Sequence, residues 1–406
     1  MDYDVIVIGA GAAGLMTAIH AAERGRNVLL LEKSRKPGVK ILMSGGTRCN
    51  ITHDCDVRGI IAAFGPNGKF LHSALAAFGP DDAVAFFNAE GVATKIEDTG
   101  KIFPVSDRAV DVLEALLKRL KRTGATLTLA EPVTSIQATE SGFQVVTVHR
   151  QLTAEHVVIT TGGKSFPGCG TTGDGYGFAS AFGHSIVPTT PALVPLKIDA
   201  TWVTDLKGVT LHVGLRVLEA SKVLSARVGS MLFAHFGLTG PAPLDVSRAV
   251  SGHPRPRSLT LEIDFLPGET EAVLDEFLRI ETAAAGKQLL ASVLSRKLTR
   301  RVADMMIVYC GLPVDRTAAA LAKVDRQKLA AAMKRLTVPL AGTLGFEKAE
   351  VTAGGVSLNE VDSRTMQSKL KPGLFLAGEV LDLDGWIGGY NFQSAWSTGW
   401  LAGKHV

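Results

Sequence analysis

The stretch MSGGTRCNIT, residues 43–52, sets Gly45, Gly46, Arg48, Cys49 and Asn50 within one short run, and Cys55 follows Cys49 at a C-x5-C spacing. Residues of these types can serve four chemistries. A thiol pair can exchange disulfides, and a thiol beside His53 can ligate a metal. Asn50-Ile51-Thr52 fits a glycosylation acceptor, and paired glycines beside cations can hold a phosphate-bearing cofactor. His53 and Cys55 are too few and too oddly spaced for a zinc site. The other three depend on the rest of the chain.

Gly9, Gly11 and Gly14 form a second chemical group, G-x-G-x-x-G, between the apolar run Val5–Ile8 and a segment rich in small residues, Ala18 and Ala21 among them. Gly9 permits a tight turn, Gly11 lets backbone approach a pyrophosphate, and Gly14 lets the following helix pack closely on a sheet. The start of that helix offers unpaired N–H groups and a positive dipole end to phosphate. Glu32 closes the next apolar run, VLLLE, and its carboxylate can accept from both ribose hydroxyls. It would repel a 2′-phosphate, so FAD or NAD fits better than NADP. GCGTTG, residues 168–173, repeats the glycine spacing. Its strand ends several residues earlier and no strand closing on an acid follows, so the chain carries one dinucleotide fingerprint.

Two further strand ends carry close-approach glycines: Thr160-Thr161-Gly162-Gly163 after HVVI, and Gly378-Glu379 after GLFLA, with a helix expected from Tyr390. Ligands of open α/β sheets bind at such ends. FAD is extended and needs contacts beyond its ADP half. Gly378 and Glu379 suit the ribityl chain, and the N-terminus of the last helix suits the pyrimidine side of the flavin.

These groups require a parallel sheet to position them. The chain has 406 residues, enough for two or three domains, and a formal charge of +4, too weak by itself to argue for nucleic acid. Four cysteines are too few for a disulfide scaffold, which with the absence of a basic leader or a membrane-length apolar run points to a cytoplasmic protein. GVTLHVGLRV and SLTLEIDF read as strands, with HFGLTGPAPLDVS as a turn between them. Residues 270–336 read as helical, with 12 Lys and Arg against 7 Asp and Glu. Arg296, Lys297, Arg300 and Arg301 would share a helix side, read as a solvated face in preference to a nucleic-acid patch. The expected architecture is α/β: a discontinuous Rossmann-like domain (1–190 and 345–406) with an inserted β domain (191–266) and a helical cap (267–344).

The stretches GAGAAG, SGGTRCN, TTGGKSFPGCGTTGDGYGFA, PALVPL, FAHFGLTGP, VTAGGVSLNEVDSRTMQSK and LFLAGEVLDLDGWIGGYNFQSAWSTG together resemble the BaiN-like (YhiN-like) bacterial flavoproteins, within the glutathione-reductase-type FAD superfamily. The resemblance runs almost end to end. It implies the same discontinuous plan, FAD, and oxidoreductase chemistry of the kind that reduces conjugated double bonds of steroid-like substrates or oxidises small amines. The chain departs from the family pattern at Thr47, where a third glycine is usual, and at His53, where Asn is usual. Disulfide reductases of the superfamily space their cysteines C-x4-C on a helix, which sets Cys49 and Cys55 apart from them. A cytoplasmic protein does not meet the glycosylation machinery, so the 43–52 stretch is expected to be a cofactor loop with Cys49 chemically dispensable. Lys40 and Arg48 would offset charge, and Asn50 can donate and accept at the ring edge.

The candidate FAD contacts are Gly9, Gly11, Ala13, Gly14, Glu32, Lys33, Lys40, Gly45, Arg48, Asn50, Val133, Thr161, Gly162, Gly378, Glu379, Asn391 and Phe392. The expected function is an FAD-dependent oxidoreductase acting on a small organic substrate in a cleft between domains, with NAD(P)H as transient donor. A flavin-dependent RNA-modifying enzyme and a non-catalytic redox sensor are the alternatives. Tyr390, His235 and Lys40 are acid–base candidates by chemistry alone, and His235 is expected as a packed structural residue.

Overall fold

The computed structural model describes residues Met1–Val406. It is a mixed α/β chain whose contacts divide it into two compact units, Met1–Pro191 with Glu350–Val406, and Ala192–Ala349.

The first unit is built on a seven-stranded sheet. Tyr3–Ile8 lies at its centre because Val5, Ile6 and Val7 are wholly buried, the pattern of a parallel strand covered on both faces. Val28–Leu31 flanks it on one side and Gln151–Ile159 on the other, both parallel to it. Thr126–Thr128 extends the first side. On the other side, the early part of Gln151–Ile159 pairs antiparallel with Phe143–Thr147, which pairs with Val133–Ala138. Its last residues pair in parallel with Leu374–Leu376 from the far end of the sequence.

Helix Ala12–Ala22 crosses back over this sheet and packs on the C-terminal helix Tyr390–His405. The contact is backbone to backbone. A β-carbon at Gly399 would lie 2.9 Å from Ala13 Cα, and one at Gly403 2.7 Å from Thr17 O. Thr17 Oγ1 donates to Gly399 O at 3.0 Å across the same seam. At the end of the pair, Arg24 Nη1 donates to Val406 O at 2.8 Å.

The second unit is an antiparallel sheet of seven strands, including Thr210–Glu219, Lys222–Ala234 and Leu259–Asp264, with helices packed into one shared core with it. Strands fall where the alternation indicates. The expected turn HFGLTGPAPLDVS instead holds a short strand, Gly237–Thr239, and helix Pro241–Ser251, because Pro241 sits at the first helical position, where a missing N–H costs nothing. Arg296, Lys297, Arg300 and Arg301 do not share one helix. Leu290–Leu294 ends before them and Arg300–Tyr309 begins among them. No helix of the chain is long and apolar enough to cross a membrane.

Gly399→Ala forces a methyl into the helix seam, an overpacking expected to cost about 1–3 kcal/mol. Urea denaturation will show a lowered midpoint with an unchanged slope.

Candidate functional site

Strand register creates the site. Ile8 lies opposite both Leu31 and Ile159, and Ile159 lies opposite Leu376. Four parallel strands therefore end side by side, and the segments beginning Gly9, Glu32, Thr160 and Ala377 leave the sheet along one carboxyl edge. Thr160 Oγ1 fastens this edge, within 2.9 Å of the carbonyl oxygens of both Ile8 and Gly9.

The three glycines divide their work along this edge. Gly9 has φ +105°, and a β-carbon there would press on Thr160 O at 2.7 Å. A β-carbon at Gly14 would collide with Gly9 O and lie 2.6 Å from Thr160 Oγ1. Both glycines are required by packing within the protein. Gly11 is different: it caps helix Ala12–Ala22 with φ −84°, which any residue adopts, and a β-carbon there meets nothing within 4 Å. Open space in front of a helix start with no side-chain cap is what a pyrophosphate group requires. Ala13, in the first turn, faces Gly378, whose added β-carbon would lie 2.8 Å from Ala13 Cβ.

Glu32 turns back on the glycine turn. Its carboxylate accepts from Ala10 N–H at 2.9 Å and Ser34 N–H at 2.8 Å, leaving further lone pairs for hydroxyl donors. The backbone approaching Val133 runs beside it, with Ala130 N–H donating to Ser34 O and Glu131 N–H to Glu32 O, both at 3.0 Å. Lys33 is committed elsewhere, to Thr172 and Asp174, each at 2.5 Å. The second glycine motif thus forms a loop packed at the end of the second strand, with no fingerprint geometry of its own.

Lys40 and Glu379 meet although they are far apart in sequence. Lys40 Nζ donates to Glu379 Oε2 at 2.6 Å and to Ser165 Oγ at 2.7 Å. Glu379 Oε1 accepts from Ser165 Oγ at 2.8 Å and Thr352 N–H at 2.9 Å. The carboxylate is engaged by three donors, so its side chain is a brace within the protein. Gly162, with φ +72°, stands at the neighbouring strand end, and Thr161 Oγ1 is buried without a hydrogen-bond partner.

The MSGGTRCNIT stretch begins as a helix from Val39 and then breaks. Gly45, Gly46 and Thr47 all take left-handed conformations, with φ 57°, 68° and 70°. Thr47, where the resembled family has glycine, therefore occupies a conformation that disfavours a β-branched residue. Cys49 is fully buried and its thiol is pushed up to about 12 by that burial, while Cys55 rises to about 11; both are free thiols. Neither is a ready thiolate near neutral pH. Arg48 leaves the site, pairing with Glu97 at 2.6 Å and lying 3.9 Å over the Phe103 ring.

Asn50 stays in the site. It is 8% exposed, its Oδ1 has no hydrogen-bond partner, and a β-carbon at Gly389 would lie 2.8 Å from that oxygen. Gly389 caps the C-terminal helix, where the first intrahelical bond runs from Gln393 N–H, so the amides of Asn391 and Phe392 precede it. Their side chains serve the frame: Asn391 ties to both backbone groups of Gly385, and Phe392 stacks on Trp396. Gln393 and Trp396 fix this helix to the loop, Gln393 Oε1 accepting from Thr52 Oγ1 and Trp396 Nε1 donating to Ile51 O. His53 lies beside them, stacked on Tyr390 at 4.6 Å with Nδ1 at 2.9 Å from Gly388 O.

Sequence reasoning missed Ser165, Thr352, Gln393 and Trp396; a polar residue on an otherwise buried helix was the one signal for Gln393. His235 corrects an expectation. It is exposed at a turn between strands, with Phe236 as its ring neighbour, because the tight reversal leaves it no interior to pack into. Arg296, Lys297, Arg300 and Arg301 are each engaged, by Glu281, Glu269, Asp304 and the carbonyls of Asp205 and Lys207. No set of three or more His, Cys, Asp or Glu is placed to hold a metal ion. The open space at Gly11 and the orphaned Asn50 Oδ1 fit an extended dinucleotide, whereas Thr161 Oγ1 is turned against Gly175 of helix Asp174–Ala181.

A family profile described as the HI0933-like protein Rossmann domain matches residues 3–405. The chain is 36% identical over 409 residues to the ribosomal RNA dihydrouridine synthase of Escherichia coli, covering 100% of this chain and 98% of that one. It is 31% identical over 405 residues to the 3-dehydro-bile acid delta(4,6)-reductase of Clostridium scindens, covering 98% and 97%. A solved structure of the 3-ketosteroid-delta4-(5alpha)-dehydrogenase of Rhodococcus jostii superposes with a TM-score of 0.56 at 16% identity, covering 99% of this chain and 96% of that one. That last likeness is one of fold.

Gly11→Val fills the open space without straining the backbone. It is expected to weaken FAD binding at least about tenfold, ~1.4 kcal/mol, in a fluorescence titration, with the denaturation midpoint of the FAD-free protein unchanged. Cys49→Ser puts a more strongly hydrated hydroxyl in place of a fully buried thiol beside Ser44 and will cost about 1–3 kcal/mol of stability, while the FAD-loaded variant keeps its turnover number in a steady-state assay.

Proposed function

Because this chain belongs to the HI0933-like family of FAD-binding oxidoreductases, we propose that it reduces a carbon–carbon double bond conjugated to a carbonyl group, with NAD(P)H as the electron donor. The observation that carries its FAD-binding part is the alignment of four parallel strand ends into one edge, with Gly11 open at a helix start. The reaction class is the chemistry common to two relatives. A 4,6-unsaturated 3-keto steroid and a uracil ring both present an alkene conjugated to a carbonyl, and the relatives' names describe its saturation.

Bound FAD supplies hydride chemistry. In this reading the glycine turn and the start of helix Ala12–Ala22 would hold the pyrophosphate, and Glu32 would hold the ribose. The Asn50 carboxamide would meet the ring edge, and the amides opening the C-terminal helix would favour negative charge there. Saturation of the alkene also needs a proton. We assign its delivery to Lys40, whose Nζ is held by Ser165 and Glu379. A small organic enone is the first substrate class. Uracil within RNA is a second, favoured by the full-length relative named for ribosomal RNA.

Anaerobic titration with NADH and with NADPH tests this reading. The purified protein is expected to be yellow, to bleach with at least one nucleotide, and to regain its colour with a cyclic enone, releasing the saturated product by mass spectrometry. Colourless protein that takes up no FAD would overturn the proposal. Yellow protein that neither nucleotide bleaches would remove NAD(P)H as donor.

A further inference from the structure

One end of the sheet in the second unit gathers cations that no internal partner neutralises. Glu219 lies opposite Lys222 across the Thr210–Glu219 hairpin and opposite Leu259 on its other side. The turn Pro256–Ser258 leads directly into Leu259, so Arg255 and Arg257 arrive at the same sheet end as Lys222. All three side chains are exposed, and none makes an ion pair or side-chain hydrogen bond. Arg296, Lys297, Arg300 and Arg301, by contrast, are each engaged by an internal partner.

The turn is also held in shape. Pro254 and Pro256 flank Arg255 and restrict its backbone. His253 anchors the turn from below, accepting Arg255 N–H on Nδ1 at 3.2 Å while Nε2 lies 3.2 Å from Glu219 Oε1. Glu219 is the carboxylate within the cluster, and it is turned to His253. From Arg248 to Ser258 the sequence carries no Asp or Glu. Two arginines presented on a proline-stiffened turn beside a lysine lose little conformational freedom when they meet phosphate.

We propose that Lys222, Arg255 and Arg257 form a docking surface for the phosphate backbone of RNA. The inference rests on the second substrate reading, uracil within RNA, and supplies the contact that would bring such a substrate to the protein.

The test uses full-length, FAD-loaded protein and a transcribed ribosomal RNA fragment, with binding measured over a range of salt. Lys222→Glu/Arg255→Glu/Arg257→Glu is expected to weaken binding at least about tenfold and to lower the log–log salt slope by roughly 2–3. Lys287→Glu/Lys323→Glu/Lys348→Glu makes the same charge change at exposed sites of the same unit and is expected to leave binding within about twofold of wild type. Both variants should keep the enone reductase activity. Equal weakening by both variants, unchanged binding in the first, or no RNA binding by the wild type would each overturn the surface. So would tighter patch-dependent binding to polyglutamate or to phosphatidylserine vesicles than to RNA. Dihydrouridine formation scores the substrate reading separately. Patch-dependent RNA binding without dihydrouridine upholds the surface and removes that reading, whereas dihydrouridine formed equally by wild type and patch variant removes the surface alone.

Discussion

The close seam between helices Ala12–Ala22 and Tyr390–His405 is the constraint on which the first unit depends. Helix Ala12–Ala22 is pressed on one side against the sheet through Gly14 and on the other against the last helix through Gly399 and Gly403. No side chain fits at these points, so backbone packs on backbone and the helix has little freedom to shift. Its start at Gly11 and the start of the last helix at Gly389 are thereby fixed in one frame. Each presents amide groups, and each stands beside a glycine turn. A larger residue at Gly14, Gly399 or Gly403 would press on this frame and disturb both helix starts at once.

The charges near the site are distributed with the same economy. Lys40, Glu379 and Ser165 satisfy one another, with Thr352 completing the set. Charge-assisted hydrogen bonds of this kind hold side chains more firmly than neutral ones. Arg48 and Lys33, which sequence reasoning placed at the cofactor, are drawn into pairs with Glu97 and Asp174. The polar atoms left over there include neutral ones, Asn50 Oδ1, Thr161 Oγ1 and Tyr176 Oη. That favours recognition by hydrogen bonding and backbone dipole over recognition by net charge.

What the sequence revealed follows from the kind of constraint involved. Gly9, Gly14 and Glu32 were legible because a tight turn, a close helix and a strand-end acid each demand a residue type at a fixed spacing. The left-handed run at Gly45 and Gly46 was legible as a break for the same reason. Thr47 was noticed as a departure, and only the backbone shows that it bears the conformational strain. The Lys40–Glu379 pair was out of reach as a pair, because the partners approach only once distant segments lie side by side. The shared helix side expected for Arg296 to Arg301 failed because local periodicity does not report a new helix starting at Arg300.

The strand Leu374–Leu376 completes the parallel edge, and it follows the whole of Ala192–Ala349 in the chain. During synthesis, the first strands and the glycine turn emerge long before the strand and helix that finish their sheet and seam. The intervening unit brings its own ends together, with Leu344 N–H donating to Pro195 O at 3.2 Å. Once folded, it shortens a very long loop to a compact bridge and removes most of the entropy cost of closing it. The parallel edge is then complete only after the intervening unit has been synthesised.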